Sequence, residues 1–585
     1  MTAIRGSDHA STTVIGEALA SHRDTLRDPA VVMSPSRMGA ARPTRHAFSR
    51  SILRRAASRG WTAKTVRFAL DADGQGEVGY VIDAEGYRFT FVAFLQTLPE
   101  DDHTDRVIAN LWEIAAALVE GDVDEDRWAE LRSNVPAQED GRLDNNTLAL
   151  TRGNRSVRFF DYLVDELAAG RQPDPGKVGD AGYIMRSTAF YGNGKFGMRS
   201  FGAFEADHPL AAPYRAQFLT AWCYRELSMD TVVHCARARG GETATRFDSS
   251  WSRYFGLGNA TGLGLVPYAF KHPRIINAWV GARELSLARV RAHDASPQLR
   301  DRLMAWLDRA EVHFASGTTE DAYPFLCPAE IVPLVRKVRA YAAELIASDH
   351  DSLFDELMTW AMTQEVELGE LVVAALVDLD DLDDDTVDAL LHVDETATID
   401  FGLDVGSARE LLDERFGWAL TADAPDATQW WVYSDNTEEP RRLPRSQWPD
   451  GLQDMAIDVA GNARFLAVEL DRWPDSTTLG EVLIESPQFL QAIERLFVSD
   501  QPYGEPRDHP CSDDYLPLQV QRLQLAQYGM DNFKPKSTDW LRVTLFQGAP
   551  RFSDLGSDAF DDDWMMPPMP TTTSVPQPTD GVEMR

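Results

Sequence analysis

Cysteine is scarce in this chain: Cys223, Cys235, Cys327 and Cys511 are the four among 585 residues, and none stands in a C-x-x-C pair. That excludes a disulfide framework and a zinc knuckle, and it fits a reducing compartment. Long apolar runs are missing too. No stretch approaches the ~18 consecutive apolar residues that a membrane-spanning helix needs. The opening MTAIRGSDHASTTVIGEALASHRD lacks the continuous apolar core of a secretion signal. The pair Arg54-Arg55 has no apolar stretch behind it, which argues against twin-arginine export. Basic charge is also in short supply, with 57 Lys and Arg against 92 Asp and Glu for a formal charge of −35. A field of that sign repels phosphate backbones and anionic bilayers. Membrane and nucleic-acid partners are therefore disfavoured, and a soluble cytoplasmic protein is expected.

What is present reads as folded. Apolar residues are 44% and charged residues 25%, the ordinary range for globular chains. The length exceeds that of a single core, so several domains are expected. The overall class expected is mainly α with α+β parts. Residues 1–45, rich in Ser, Thr, Ala, Arg and Gly without periodicity, predict a mobile arm. Residues 46–170 predict an α+β domain that opens with an antiparallel meander, because TVRFAL, EVGYVID and YRFTFVAFL are separated by Gly-containing turns. Helices are predicted at DRVIANLWEIAAALVEG and SVRFFDYLVDELAAG from apolar recurrence every three or four positions.

Residues 171–400 predict a helical centre. It begins with an aperiodic loop over 171–205, followed by a long helix that stops at Gly240-Gly241. RIINAWVGARELSLARVRA and the spans 296–316, 329–348 and 350–377 carry further helical periodicity. The acidic run DLDDLDDDTVD lacks the central Gly and distal Glu of a calcium loop and reads as a solvated turn. Residues 401–555 mix short strands and helices in a smaller α+β unit, and the acidic, then Pro-, Met- and Thr-rich stretch from 556 predicts disorder.

Candidate chemistry gathers between Arg186 and Arg274. In YGNGKFGMRS, Lys195 and Arg199 stand among glycines, which suits a carboxylate or phosphate held by amides and a point charge. The bland reading is a tight hairpin with exposed cations. The glycines of FGLGNATGLG only partly match a dinucleotide fingerprint, which counts against a nicotinamide cofactor. A helix starting near Asn259 or Thr261 would offer amides to an anion, and close packing through small residues is the competing account. On the long helix Glu226, Asp230 and His234 recur every four residues and so share a face. Asp230 could orient His234 as a general base, or the pair could bind a divalent metal with a third ligand. A hydrogen-bonded core histidine is the alternative. His272, between Lys271 and Pro273, is a second acid/base candidate.

The sequence therefore leads us to expect a small-molecule enzyme using acid/base chemistry. His234, Asp230 and His272 would handle protons. Arg186, Lys195, Arg199, Asn259, Thr261 and Lys271 would hold an anionic substrate. The competing class is a non-catalytic interaction protein, monomeric or oligomeric, in which glycines and aromatics serve packing. One further feature is the basic island from Arg37 to Arg67, which contains no acidic residue and is expected to fold back on the acidic body of the chain.

Overall fold

The computed structural model describes residues 25–99, 101, 111–137, 143–179, 182–192, 204–205, 207–262, 272–317, 328–393, 398–421, 429–434, 441–444, 452–454, 459–507, 517–530, 533–535, 540–558 and 560–571. It is a mixed α+β structure in which helix exceeds strand. The predicted meander is present as β1 (Thr62–Leu70), β2 (Gly76–Ala84) and β3 (Tyr87–Leu95), joined by turns at Asp71–Gln75 and Glu85–Gly86. It continues through β4 (Ile114–Glu120), β5 (Thr147–Arg155), β6 (Tyr183–Gly192) and β7 (Gly256–Gly262). Two late strands, β11 (Phe533–Pro535) and β12 (Trp540–Leu545), complete one nine-stranded sheet in the order β1-β2-β3-β4-β5-β6-β7-β12-β11. All its neighbours are antiparallel except β6 and β7. The strands of 533–545, expected in a separate carboxyl-terminal unit, thus belong to the amino-terminal sheet.

Two expectations fail here. The segment IAAALVE is strand β4 rather than helix, and YIMRSTAFYG is strand β6 rather than loop. β4 lies between β3 and β5 and is buried on both faces. Ile114, Ala116 and Leu118 face one core, while Ala115, Ala117 and Val119 face another. A strand buried on both faces has no polar side, so its sequence does not alternate and resembles a helix.

One face of the sheet carries Tyr80, Ile82, Phe89, Phe91, Ile114 and Leu118 in the largest core. Packed with them are α1 (Phe48–Ser58), α3 (Phe160–Ala168) and the long α4 (Arg215–Gly240). The opposite face carries Val92, Phe94 and Val119, covered by Trp128 and Leu131 of α2 (Glu125–Asn134). α4 ends where predicted: Gly241 takes φ 56°, a conformation that favours glycine. From α5 (Pro273–Arg291) the chain enters a second, helical core, built with α6 (Pro297–Ala315), α7 (Pro328–Ala347), α8 (Leu353–Ala361) and α9 (Val366–Val377). The span 350–377, expected to be helical, forms two helices. α11 (Val405–Thr421), α12 (Val459–Leu470), α13 (Leu479–Glu485) and α14 (Leu490–Val498) enclose a third core. Strands β8 (Gln429–Ser434), β9 (Arg441–Pro444) and β10 (Leu452–Asp454) form a separate three-stranded sheet. α15 (Pro517–Tyr528) returns the chain to the first core.

The acidic run is not a solvated turn. Asp383 caps α10 (Asp384–Leu391) by accepting from the Thr386 amide at 2.9 Å, and the carboxylates around it meet the basic island. Arg50 binds Asp378 at 3.0 Å, Arg54 binds Asp384 at 2.5 Å, Arg55 binds Asp388 at 2.9 Å, and Arg59 binds Asp385. The island does fold back on the acidic body. Residues 25–45, expected within the arm, contribute Met33 and Met38, which are fully buried. Residues 556–558 and 560–571, expected to be disordered, carry a buried Trp564. No helix among the described residues is long and apolar enough to cross a membrane.

Candidate functional site

Glu226, Asp230 and His234 do share a face of α4, but they do not act together. Arg551 clamps Glu226 through Nε at 2.6 and 2.8 Å and reaches Asp230 at 3.4 Å. The other oxygen of Asp230 accepts from the Tyr80 hydroxyl at 2.8 Å. Burial raises the Tyr80 hydroxyl pKa well above its usual value, and Asp230 adds to that, so the phenol stays a donor. Burial likewise pushes the Glu226 carboxyl up, against the pull of Arg551 and Arg225. His234 turns away: its Nε2 meets the Asp71 carbonyl in the β1–β2 turn at 2.8 Å, and its ring lies edge-on to Phe68. The expected Asp230–His234 dyad is therefore not formed. A helix places residues four apart on one face, but each side chain takes whatever partner the sheet beneath supplies.

Beside this cluster Arg225 is fully buried. It donates to five backbone carbonyls, those of Phe255 at 2.7 Å, Ala549 at 2.8 Å, and Pro550, Ser252 and Arg253 each at 3.1 Å. Burial lowers its pKa, yet the surrounding oxygens can only accept, so the guanidinium ties the turn after β12 to the long helix.

The predicted binding residues divide. Arg186 and Asn259 come onto neighbouring strands, with Arg186 opposite Gly258 and the Asn259 amide donating to the Ser187 hydroxyl at 3.3 Å. Thr261 sits in β7 opposite Leu541 of β12. The expected helix start at Asn259 or Thr261 is thus a strand, because its small residues fit between two other strands. A Cβ at Gly258 would lie 2.6 Å from the Tyr183 ring, and one at Gly256 would lie 2.5 Å from the Leu545 carbonyl. These glycines serve close packing. His272 is buried immediately before Pro273 at the start of α5, where Pro273 fills the first helical position. Lys195, Arg199, Lys271, Cys327 and Cys511 lie outside the described residues. Cys223 and Cys235 are free, and burial raises both thiol pKa values, which keeps them unreactive. No group of three His, Cys, Asp or Glu able to hold a metal ion occurs among the described residues.

A concavity of about 510 Å3 opens elsewhere, on the sheet face that carries α2. None of the predicted site residues lines it. Phe94, Leu95 and Ala115 come from the ends of β3 and β4, Leu111 and Trp112 from the connection between them, and Pro136 from the chain after α2. Four charged groups stand around this apolar lining: Glu77, Glu113, Arg132 and Arg152. Glu113 is 4% exposed and accepts from the Arg155 amide at 2.7 Å. Glu77 is bound by Arg132 at 3.0 Å, Arg67 at 2.9 Å and Trp128 at 2.6 Å, and these donors, Arg132 first, hold its pKa below the usual carboxylate range. Arg152 donates to the Ala137 carbonyl at 2.8 Å.

These residues escaped sequence reasoning because WEIAAALVE was read as helix. Read as a strand, it would have put Trp112 and Glu113 just before the amino end of a buried strand. No protein-family model, curated protein or solved structure matches the chain.

Proposed function

We propose that the chain binds a small amphipathic molecule in the groove formed by β2–β5, α2 and the connection before β4. The observation that supports this is the groove itself. Its volume lies in the range of small-molecule sites, roughly 300–1,000 Å3, and it combines an apolar lining with a few charged groups, the usual composition of such sites. Trp112 and Phe94 offer ring surface, and two guanidiniums and two carboxylates offer orientation. Acid/base chemistry of the kind expected from the sequence would fall to Glu113, the lining carboxylate buried from water, because Glu77 is neutralised by two arginines.

The test is a thermal-stability screen of small aromatic carboxylates, phosphates and amines. A ligand at a hundredfold its Kd should add about 2.7 kcal/mol, and Trp112→Ala and Glu113→Gln should abolish that gain. Stabilisation that survives both substitutions, or none from any class, rejects the groove.

A second reading keeps the substrate region expected from the sequence, and one observation favours it. β6 and β7 are the parallel pair of the sheet, so their carboxyl ends, which precede Lys195, Arg199 and Lys271 in the sequence, lie at the same end of the sheet. Ligands of sheets with parallel strands collect beyond strand carboxyl ends. An anion there would stabilise the protein through Lys195 and Arg199 and be indifferent to Trp112→Ala. If neither region responds and only a protein partner stabilises the chain, the interaction-protein alternative stands.

A further inference from the structure

After β12 the chain makes a short turn through Phe552–Asp554, and residues 561–570 then follow without helix or strand, with a further turn at Trp564–Met565. Residues 561–570, DDDWMMPPMP, make no backbone-to-backbone hydrogen bond with the rest of the protein among the described residues. Side chains hold them instead. Asp562 reaches Arg54 at 3.2 Å and Arg50 at 3.3 Å, both on α1. Asp563 reaches Arg309 on α6 at 3.0 Å. Directly after these anchors Trp564 is 5% exposed, with its ring stacked on Phe546 at 6.1 Å. Met565 and Met569 pack on the first core, Met566 packs on the second, and the Pro567 carbonyl faces His313 of α6 at 3.3 Å.

The segment thus joins two cores using two carboxylates, one tryptophan and three methionines. The same chemistry serves linear-motif recognition, where an arginine cluster reads an acidic end and an apolar seam takes an aromatic anchor with adaptable methionines. Asp563 and Arg309 are 48% and 33% exposed, so that ion pair is open to screening by salt, whereas the pairs of Asp562 with the buried Arg50 and Arg54 are less so. Without ladder hydrogen bonds, the segment should open more readily than the strand before it.

We propose that the seam between α1 and α6 is an exchangeable docking site for acidic–aromatic protein segments, and that residues 561–570 occupy it in cis until a partner segment of the same chemistry displaces them. Arg50, Arg54 and Arg309 select the acidic end of the partner. The space filled by Trp564 takes its aromatic residue.

The test uses full-length chain carrying Asp562→Asn, Asp563→Asn and Trp564→Ala, which weakens the resident segment in place, and a fluorescent peptide of residues 560–570 as the probe. The variant should bind the peptide at least tenfold more tightly than the unaltered chain. Raising salt from 50 to 500 mM should weaken that binding several-fold, and adding Arg309→Gln should do the same. Equal, weak binding by variant and unaltered chain, with both folded by circular dichroism, overturns the proposal. Displacement on the unaltered protein decides independently, including where the variant fails to fold. A large excess of the peptide should raise the oxidation rate of Met565, Met566 and Met569 by peroxide several-fold, and a rate unchanged by the peptide overturns the proposal.

Discussion

Tyr80 donates its hydroxyl to the Asp230 carboxylate across 2.8 Å, fastening the second strand of the sheet to the middle of the long helix. Tyr80 is buried, whereas the Asp230 side chain is about one third exposed, so water can replace the lost donor on one side only. Tyr80→Phe should therefore cost about 1 kcal/mol in denaturant unfolding. A loss above about 3 kcal/mol would mean that the Glu226–Arg551 clamp depends on the hydroxyl.

His234→Ala removes the contact with the Asp71 carbonyl and an edge packed on Phe68. The side chain is only partly buried, so the expected cost is about 1 kcal/mol. Ligand binding in the groove should be unchanged. An abolished function in a fully folded His234→Ala protein would restore the dyad that the geometry separates.

His208 gives the protein a pH dependence. Its ring stacks on Phe204 with centroids 4.1 Å apart, it contacts Tyr87 edge-on, and its Nδ1 accepts from the Leu210 amide at 3.0 Å. Burial pushes its pKa down to about 4, below the ~6.5 of a free histidine. The folded state thus favours the neutral ring. That contribution is complete above pH ~6.5 and fades as pH falls toward 4, because the unfolded chain takes up the proton first. Tm measured from pH 7 to 4 should decline, and His208→Phe should decline less over the same window. Parallel curves for the two proteins would assign the decline to other groups.

Gly153 sits where β5 crosses beneath α4. A Cβ there would lie 2.3 Å from the Arg186 carbonyl and 2.3 Å from the Tyr224 hydroxyl. One obstacle is backbone, so Gly153→Ala should cost about 3 kcal/mol or more. Gly417, inside α11 with its nearest atom 3.4 Å away, is the control. There alanine should stabilise by about 0.5–1 kcal/mol. Chemical denaturation of both variants checks the pair, and similar effects at the two sites would contradict the packing described.

The sequence by itself settled what depends on neighbours along the chain. The meander β1–β3, with its Gly-containing turns, and α4, with its Gly241 stop, were legible because period and cap are local signals. The basic island was legible in part, since a run of arginines in a strongly acidic chain has few other places to go. Tertiary structure decided the rest. β4 does not alternate because both its faces are covered, which no local pattern reports. The late strands β11 and β12 join the early sheet because β7 offers an open edge, a pairing across more than 270 residues. Glu226, Asp230 and His234 were correctly placed on one face, but their partners, Arg551, Tyr80 and the Asp71 carbonyl, come from distant parts of the chain. Spacing fixes which way a side chain points, and only the packed fold fixes what it meets.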